Sequence, residues 1–113
     1  MRRTTGVAAA GLAAGALLAV ACGPDPSTPE GLYYHQCARC HGVDGTGNPR
    51  AAKKMEGLDL TVSEMIADAD GDAVRERIVE GEGSMPPFGN KLTAAEIDVL
   101  VAYTMELAVP APP

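Results

Sequence analysis

The sequence predicts an all-α domain of three to five helices. No stretch of the 113 residues alternates apolar and polar side chains as a half-buried strand does. Between Ile97 and Leu107, apolar residues recur instead at intervals of three and four. With one Phe, three Tyr and no Trp, so short a chain has difficulty burying a sufficient apolar core by itself. We therefore expect the helices to wrap around a large buried group.

Residues 1–21 are predicted to be an export signal rather than part of the fold. Arg2 and Arg3 form a positive start, and Gly6–Ala21 is an apolar run built mostly from Ala and Gly. The run has 16 residues, whereas a membrane-spanning helix needs about 20. Removal of the signal takes the net charge from −6 to −8, which argues against nucleic acid as a partner.

The cut after Ala21 would leave Cys22 as the first residue of the mature chain. Ala19-Val20-Ala21 is a small-residue cleavage site, and with Cys22 it also resembles a bacterial lipobox. A lipid on Cys22 would explain an odd thiol in an exported protein and would anchor it to the cell membrane, facing the periplasm or the cell exterior. The alternative is a soluble periplasmic protein with a free or blocked Cys22. Residues 22–29, with three prolines, are predicted to be a flexible tether to a domain spanning 30–113.

Four helices are predicted within the domain. The last has the clearest start, because Thr93 and Glu96 can cap each other's amides. Asp70 can cap the start of the third predicted helix with its side chain, and Gly81 ends that helix. The predicted spans are Glu30–Arg39, Ser63–Ala69, Gly71–Val79 and Thr93–Ala108. The segment from Gly42 to Pro49 contains three glycines and is predicted to be a loop.

The motif Cys37-Ala38-Arg39-Cys40-His41 is the attachment signature of a covalent haem. Two thiols at this spacing can each bond to one vinyl group, and the adjoining imidazole can reach the iron. A redox-active dithiol would need a βαβ context, and a structural zinc site would need four ligands. Neither is present in the sequence, so we expect one haem c, held by Cys37 and Cys40 with His41 as an axial ligand.

Met85 is the candidate for the second axial ligand. It lies in Gly81-Glu82-Gly83-Ser84-Met85-Pro86-Pro87, where glycines allow a close backbone approach and prolines restrict the loop. The other mature methionines have no such context and are expected to be core or surface residues: Met55, Met65 and Met105. His35 is expected to face solvent on the first helix.

With these residues in place, the chain strongly resembles the class I monohaem cytochromes c, and in particular the small bacterial members. Tyr33, four residues before Cys37, and Leu100 with Tyr103 match aromatic and apolar positions of that family, and Met85 follows His41 by 44 positions. The resemblance implies a small cytochrome c fold around one covalent haem with His/Met ligation. It also makes Pro49 a candidate acceptor for the second nitrogen of His41. A glycine is usual in the family where this chain has Pro29.

The function expected from this site is the transfer of single electrons between protein donors and acceptors. Two strong ligands leave no iron position for a substrate, so we expect neither an enzyme nor a small-molecule substrate. Two alternatives remain: a dedicated haem subunit of one respiratory enzyme, or a haem sensor or peroxidase if Met85 is held weakly. Four basic residues lie near the motif, whereas the stretch from Glu64 to Glu82 is acidic: Arg39, Arg50, Lys53 and Lys54. This asymmetry either makes the molecule a dipole that steers its haem edge toward acidic partners, or the charges are ordinary solvated surface charges.

Overall fold

The computed structural model describes residues 6, 11 and 23–108, so Cys22 and nearly all of the predicted signal lie outside the described residues. Within these residues, five α-helices follow one another: α1 (Pro29–Gln36), α2 (Ala38–His41), α3 (Glu64–Ala67), α4 (Gly71–Glu80) and α5 (Ala94–Ala108). Two 3₁₀ helices lie between α2 and α3, at Ala51–Lys53 and Leu60–Val62. The described part of the chain contains no β-strand. The all-α prediction is confirmed.

The predicted first helix is divided in two. Thr28 caps α1 by accepting the Gly31 amide at 3.1 Å, and Pro29 occupies the first position, where its missing N–H costs nothing. The helix ends at Gln36 because Cys37 has non-helical backbone angles (φ −122°, ψ −38°). A separate turn, α2, then carries Cys40 and His41. The prediction of one continuous helix from Glu30 to Arg39 is therefore wrong, because the helix is interrupted at Cys37.

The predicted caps of α4 and α5 are both present. The Asp70 carboxylate accepts the Ala73 amide at 3.0 Å, and α4 ends at Gly81, which adopts φ +68°. At α5, the Thr93 amide donates to Glu96 at 2.9 Å while the Glu96 amide donates to the Thr93 hydroxyl at 3.1 Å. This reciprocal pair is the capping box expected from the sequence.

The core lies where α5 crosses α1 and α4, since α5 packs against both. Tyr33 from α1 and Leu100 from α5 are the largest fully buried side chains. The rings of Tyr33 and Tyr103 are 5.1 Å apart and tilted by 43°, a favourable aromatic arrangement. Pro29 in place of a glycine does not prevent α1 from packing on α5, because it lies at the exposed first turn of α1. None of the described helices is long and apolar enough to cross a bilayer.

Candidate functional site

The haem motif spans the junction between α1 and α2. Cys37 is the non-helical residue between the two helices, and its carbonyl accepts hydrogen bonds from the amides of Cys40 and His41 at 3.1 and 2.9 Å. Ala38 is buried in the core and Arg39 is exposed. Cys37, Cys40 and His41 are half-buried, so the three reactive side chains of the motif lie at the edge of the core.

Tyr33 holds both ends of this motif. Its main-chain carbonyl accepts the Cys37 amide at 2.8 Å, and its side-chain hydroxyl donates to the Gly42 carbonyl at 2.7 Å. Only 1% of Tyr33 is exposed, and burial raises the pKa of its hydroxyl well above 10.0. Sequence reasoning identified Tyr33 as a family aromatic but missed the hydroxyl contact, because nothing in the residue letters indicates which carbonyl it reaches.

The loop after the motif folds back onto α2. Gly47 donates its amide to the His41 carbonyl at 2.8 Å, and Asn48 donates to the Cys40 carbonyl at 2.9 Å. These bonds satisfy carbonyls that the end of a short helix would leave without partners. Gly42 and Gly47 have φ of +76° and +101°, which L side chains rarely adopt. The predicted loop from Gly42 to Pro49 is confirmed, and its glycines are required by the turn.

The ring of His41 is oriented by a main-chain oxygen. Its Nδ1 lies 2.7 Å from the carbonyl oxygen of Leu58, and because a carbonyl can only accept, Nδ1 carries the proton and Nε2 has a free lone pair. The Pro49 expectation is wrong. The chain first passes through the 3₁₀ helix Ala51–Lys53 and returns to His41 only at Leu58, while Pro49 stays exposed.

The two motif cysteines are not bonded to each other in a disulfide. Burial raises the pKa of the Cys37 thiol to about 12, with the neighbouring Cys40 as a smaller cause. A redox dithiol depends on a lowered thiol pKa. The environment of Cys37 is therefore the opposite of the one a thioredoxin-like pair needs.

Met85 lies in a tight turn beside the core. Its amide donates to the Glu82 carbonyl at 2.9 Å and its carbonyl accepts the Glu82 amide at 3.1 Å. The side chain is half-buried and packs against the hydrophobic core, as Cys37 also does. The structure thus brings the predicted thiol and thioether residues to the surface of one core, from opposite halves of the chain.

The Met85 turn is fixed to the end of α4. The amides of Phe88 and Gly89 donate to the carbonyls of Ile78 and Val79 at 2.9 and 3.1 Å, and Phe88 is buried. A Cβ on Gly81 would lie 2.4 Å from the Met85 carbonyl oxygen, so only glycine allows this approach. Gly81 therefore allows two backbone segments to come together.

The remaining methionines and the second histidine have other surroundings. Met65 and Met105 are half-buried and pack against the core, as expected. Met55 is half-buried in the loop after the first 3₁₀ helix. His35 is exposed, and its Nε2 donates to the Pro24 carbonyl at 2.9 Å. That bond places His35 against the segment before α1 rather than in the region of Met85.

The donor set fits haem c. Two cysteines separated by two residues suit two thioether bonds, and an imidazole whose Nδ1 is held by a carbonyl can offer Nε2 to a metal. When bound, haem c supplies a one-electron couple between ferric and ferrous iron. Main-chain hydrogen bonds orient the ring of His41 and fix the backbone of the Met85 turn.

Comparison with known proteins shows the family. The profile described as "Cytochrome C oxidase, cbb3-type, subunit III" matches residues 24–103. Cytochrome c6 of Gloeothece citriformis is 32% identical over 77 residues, which cover 68% of this chain and 66% of that protein. The cbb3-type cytochrome c oxidase subunit FixP of Azorhizobium caulinodans is 30% identical over 94 residues, covering 80% of this chain but 31% of FixP.

A solved structure has the same fold. The KustC0563 c-type cytochrome superposes with a TM-score of 0.62 at 30% identity, covering 70% of this chain and 95% of that one. The family profile, which matches residues 24–103, covers both helices of the haem motif and the Met85 turn. The chain belongs to the family matched by the profile and is a small class I c-type cytochrome, an electron carrier with covalent haem c rather than an enzyme.

Proposed function

We propose that this protein carries single electrons between redox proteins through a haem bonded to Cys37 and Cys40 and ligated by His41 and Met85. The bond between His41 Nδ1 and the Leu58 carbonyl carries this proposal, because it leaves Nε2 as the only free nitrogen of the ring. The turn that fixes Met85 to the end of α4 supports a permanent thioether ligand.

Two firm ligands define the chemistry of the centre. They leave no iron coordination position for oxygen, peroxide or substrate, so the oxidation state changes with little rearrangement. A thioether ligand raises the reduction potential relative to a second imidazole. A carrier of positive potential follows from this ligand pair.

Replacing Met85 tests the ligand directly. Sulfur ligation gives the oxidised protein a weak absorption band at the near-infrared edge, and we expect Met85→Leu to abolish it, because leucine conserves volume but cannot bind iron. Met65→Leu is the matched control, since Met65 packs against the core outside the proposed site. Loss of the band in the control alone, or its survival in Met85→Leu, would contradict the assignment.

A sensor or peroxidase would need an iron position that opens. Carbon monoxide binds ferrous haem only where a ligand leaves, so we expect the native protein to resist it and Met85→Leu to bind it. Rapid binding by the native protein would favour this alternative over a carrier.

A dedicated role in one respiratory oxidase is the second candidate, favoured by the similarity to FixP and by the oxidase description of the family. In that role the chain would stay with its complex rather than exchange between partners. Purification from detergent-solubilised membranes distinguishes the two, because a subunit is recovered in stoichiometric amount with an oxidase and a shuttle is not.

We also propose that residues 1–21 direct export, that residues 30–113 form the haem domain and that Cys22 is lipidated, which would anchor the carrier to a membrane on the periplasmic or outer side. The cleavage site supports this, and so does the odd cysteine that is left when Cys37 and Cys40 are assigned to the haem motif. Phase separation in detergent tests it: the mature protein should enter the detergent phase and Cys22→Ser should remain in water. Aqueous behaviour of the unaltered protein would overturn the lipid and leave simple export.

A further inference from the structure

The segment between Cys22 and the haem domain is folded back onto α1. The Asp25 carbonyl accepts both the amide and the hydroxyl of Thr28, at 3.1 and 2.7 Å. The Asp25 carboxylate accepts the amide and hydroxyl of Ser27, each at 2.8 Å, and these bonds lower the Asp25 pKa. The Pro24 carbonyl accepts a hydrogen bond from the ring of His35, which lies in the last turn of α1. We call residues 23–28 the strap.

Two glycines show how closely the strap lies on α1. A Cβ on Gly31 would lie 1.7 Å from the Asp25 carbonyl oxygen, so the turn rests directly on the first turn of the helix. A Cβ on Gly23, which has φ +101°, would lie 2.6 Å from the Tyr34 ring. The contact with α1 therefore begins at the residue that follows Cys22.

This packing shortens the distance that the chain can span between Cys22, the proposed point of membrane attachment, and the haem domain. A free segment of about seven residues can extend to roughly 25 Å, at about 3.5 Å per residue. A docked strap holds residue 23 against Tyr34 and His35, and the neighbouring Cα of Cys22 is only about 3.8 Å further along the chain. The two arrangements place the haem domain at heights above a membrane that differ by about 20 Å.

We propose that the strap, rather than a flexible tether, joins the haem domain to the membrane, so that the face formed by Gly23, Pro24, Tyr34 and His35 lies on the headgroup layer of a lipid bilayer. This rests on the proposed lipidation of Cys22. Tyr34 is 41% exposed and stacks edge-on against His35, with ring centroids 5.2 Å apart, and such amphipathic rings suit the interfacial layer. Asp25 and Glu30 are exposed nearby, so the face suits zwitterionic rather than anionic headgroups.

Hydrogen exchange of the full mature holoprotein tests the strap. We expect protected amides at Ser27 and Thr28 in the native protein, and at least tenfold faster exchange in Gly31→Ala, whose methyl group displaces Asp25 while favouring the helix. Gly71→Ala is the matched control, because its Cβ would meet only ordinary contacts at 3.7 Å. If Gly31→Ala does not fold, His35→Ala removes the Pro24 bond at an exposed position. Unprotected amides in the native protein would overturn the strap.

The bilayer contact is tested with the lipidated protein on phosphatidylcholine vesicles carrying a headgroup fluorophore, which the haem quenches at short range. We expect strong quenching by the native protein and by Gly71→Ala, and clearly weaker quenching by Gly31→Ala. Equal quenching in all three would overturn the fixed contact. Protein that stays in water refutes the lipidation, and with it the bilayer contact, while faster exchange of the strap amides in Gly31→Ala than in Gly71→Ala would then still establish the docking itself.

Discussion

At the scale of single residues, the haem motif is held by contacts that come from outside it. Tyr33 connects its two ends and Leu58 orients its histidine, although neither belongs to the five-residue signature. The signature supplies chemically suitable side chains, and the surrounding backbone determines where they point. Substitutions of the supporting residues therefore test how the motif is held in place, because they leave the cysteine and histidine atoms of the motif unchanged.

Tyr33→Phe removes one hydroxyl and leaves the half-buried Gly42 carbonyl without its donor. We expect the free energy of unfolding to fall by about 0.5–1.5 kcal/mol, measured by denaturant titration of the holoprotein. Tyr34→Phe is the control, since Tyr34 is exposed and its ring contacts do not need the hydroxyl. Equal losses in both variants would mean that the Gly42 bond contributes nothing.

The same hydroxyl makes stability depend on alkaline pH. Burial raises the pKa of Tyr33 above its usual 10.0, so the folded state holds this proton more tightly than the unfolded state does. Its contribution is complete below pH 10 and is lost as the pH rises above that value. We expect the stability of Tyr33→Phe to decline less steeply above pH 10 than that of the native protein. Parallel pH profiles would contradict this.

At the scale of helices and loops, side-chain caps were predictable from the sequence and backbone turns were not. Thr93 with Glu96 and Asp70 with Ala73 obey spacing rules that depend only on residue type. The break at Cys37 depends on tertiary contacts, and the two short 3₁₀ helices depend on local turns that carry no periodicity. The acceptor for His41 was missed for a related reason, because any residue can supply a carbonyl.

The Met85 turn offers a test at this scale. Gly81 and Gly83 both have positive φ, so alanine at either position is strained by about 1–2 kcal/mol. Only at Gly81 would the new methyl group collide with the Met85 carbonyl, whereas the space around Gly83 is open. We expect Gly81→Ala to weaken the sulfur absorption band and Gly83→Ala to retain it. A band of equal strength in both would show that the turn does not hold the ligand.

At the scale of the whole molecule, charge is unevenly distributed. The described residues form two ion pairs, Arg75 with Asp98 and Arg77 with Glu82. The four cations near the haem motif are exposed and make no ion pair within the described part of the chain. They belong to α2 and to the loop and 3₁₀ helix that pack on it, whereas the acidic stretch lies on α3 and α4.

Oxidation kinetics test whether this asymmetry steers partners. With the anionic oxidant ferricyanide at low ionic strength, we expect Lys54→Glu to slow oxidation of the ferrous protein several-fold. Lys91→Glu changes the net charge equally on a residue placed over the Phe88 ring, and it should slow oxidation less. The difference should vanish in high salt, because exposed charges are screened. Identical rates for the two variants would mean that these are ordinary solvated charges.

The bond from His41 to Leu58 has a consequence for how this site responds to change. Because the acceptor is a main-chain oxygen, a side-chain substitution at position 58 retains it. A scan of point mutants would therefore not reveal the contribution of this contact. The length of the intervening chain is a different matter. One residue inserted or deleted between 42 and 57 would shift which carbonyl meets the imidazole, so this contact depends on the number of residues in the loop and not on the side chain at position 58.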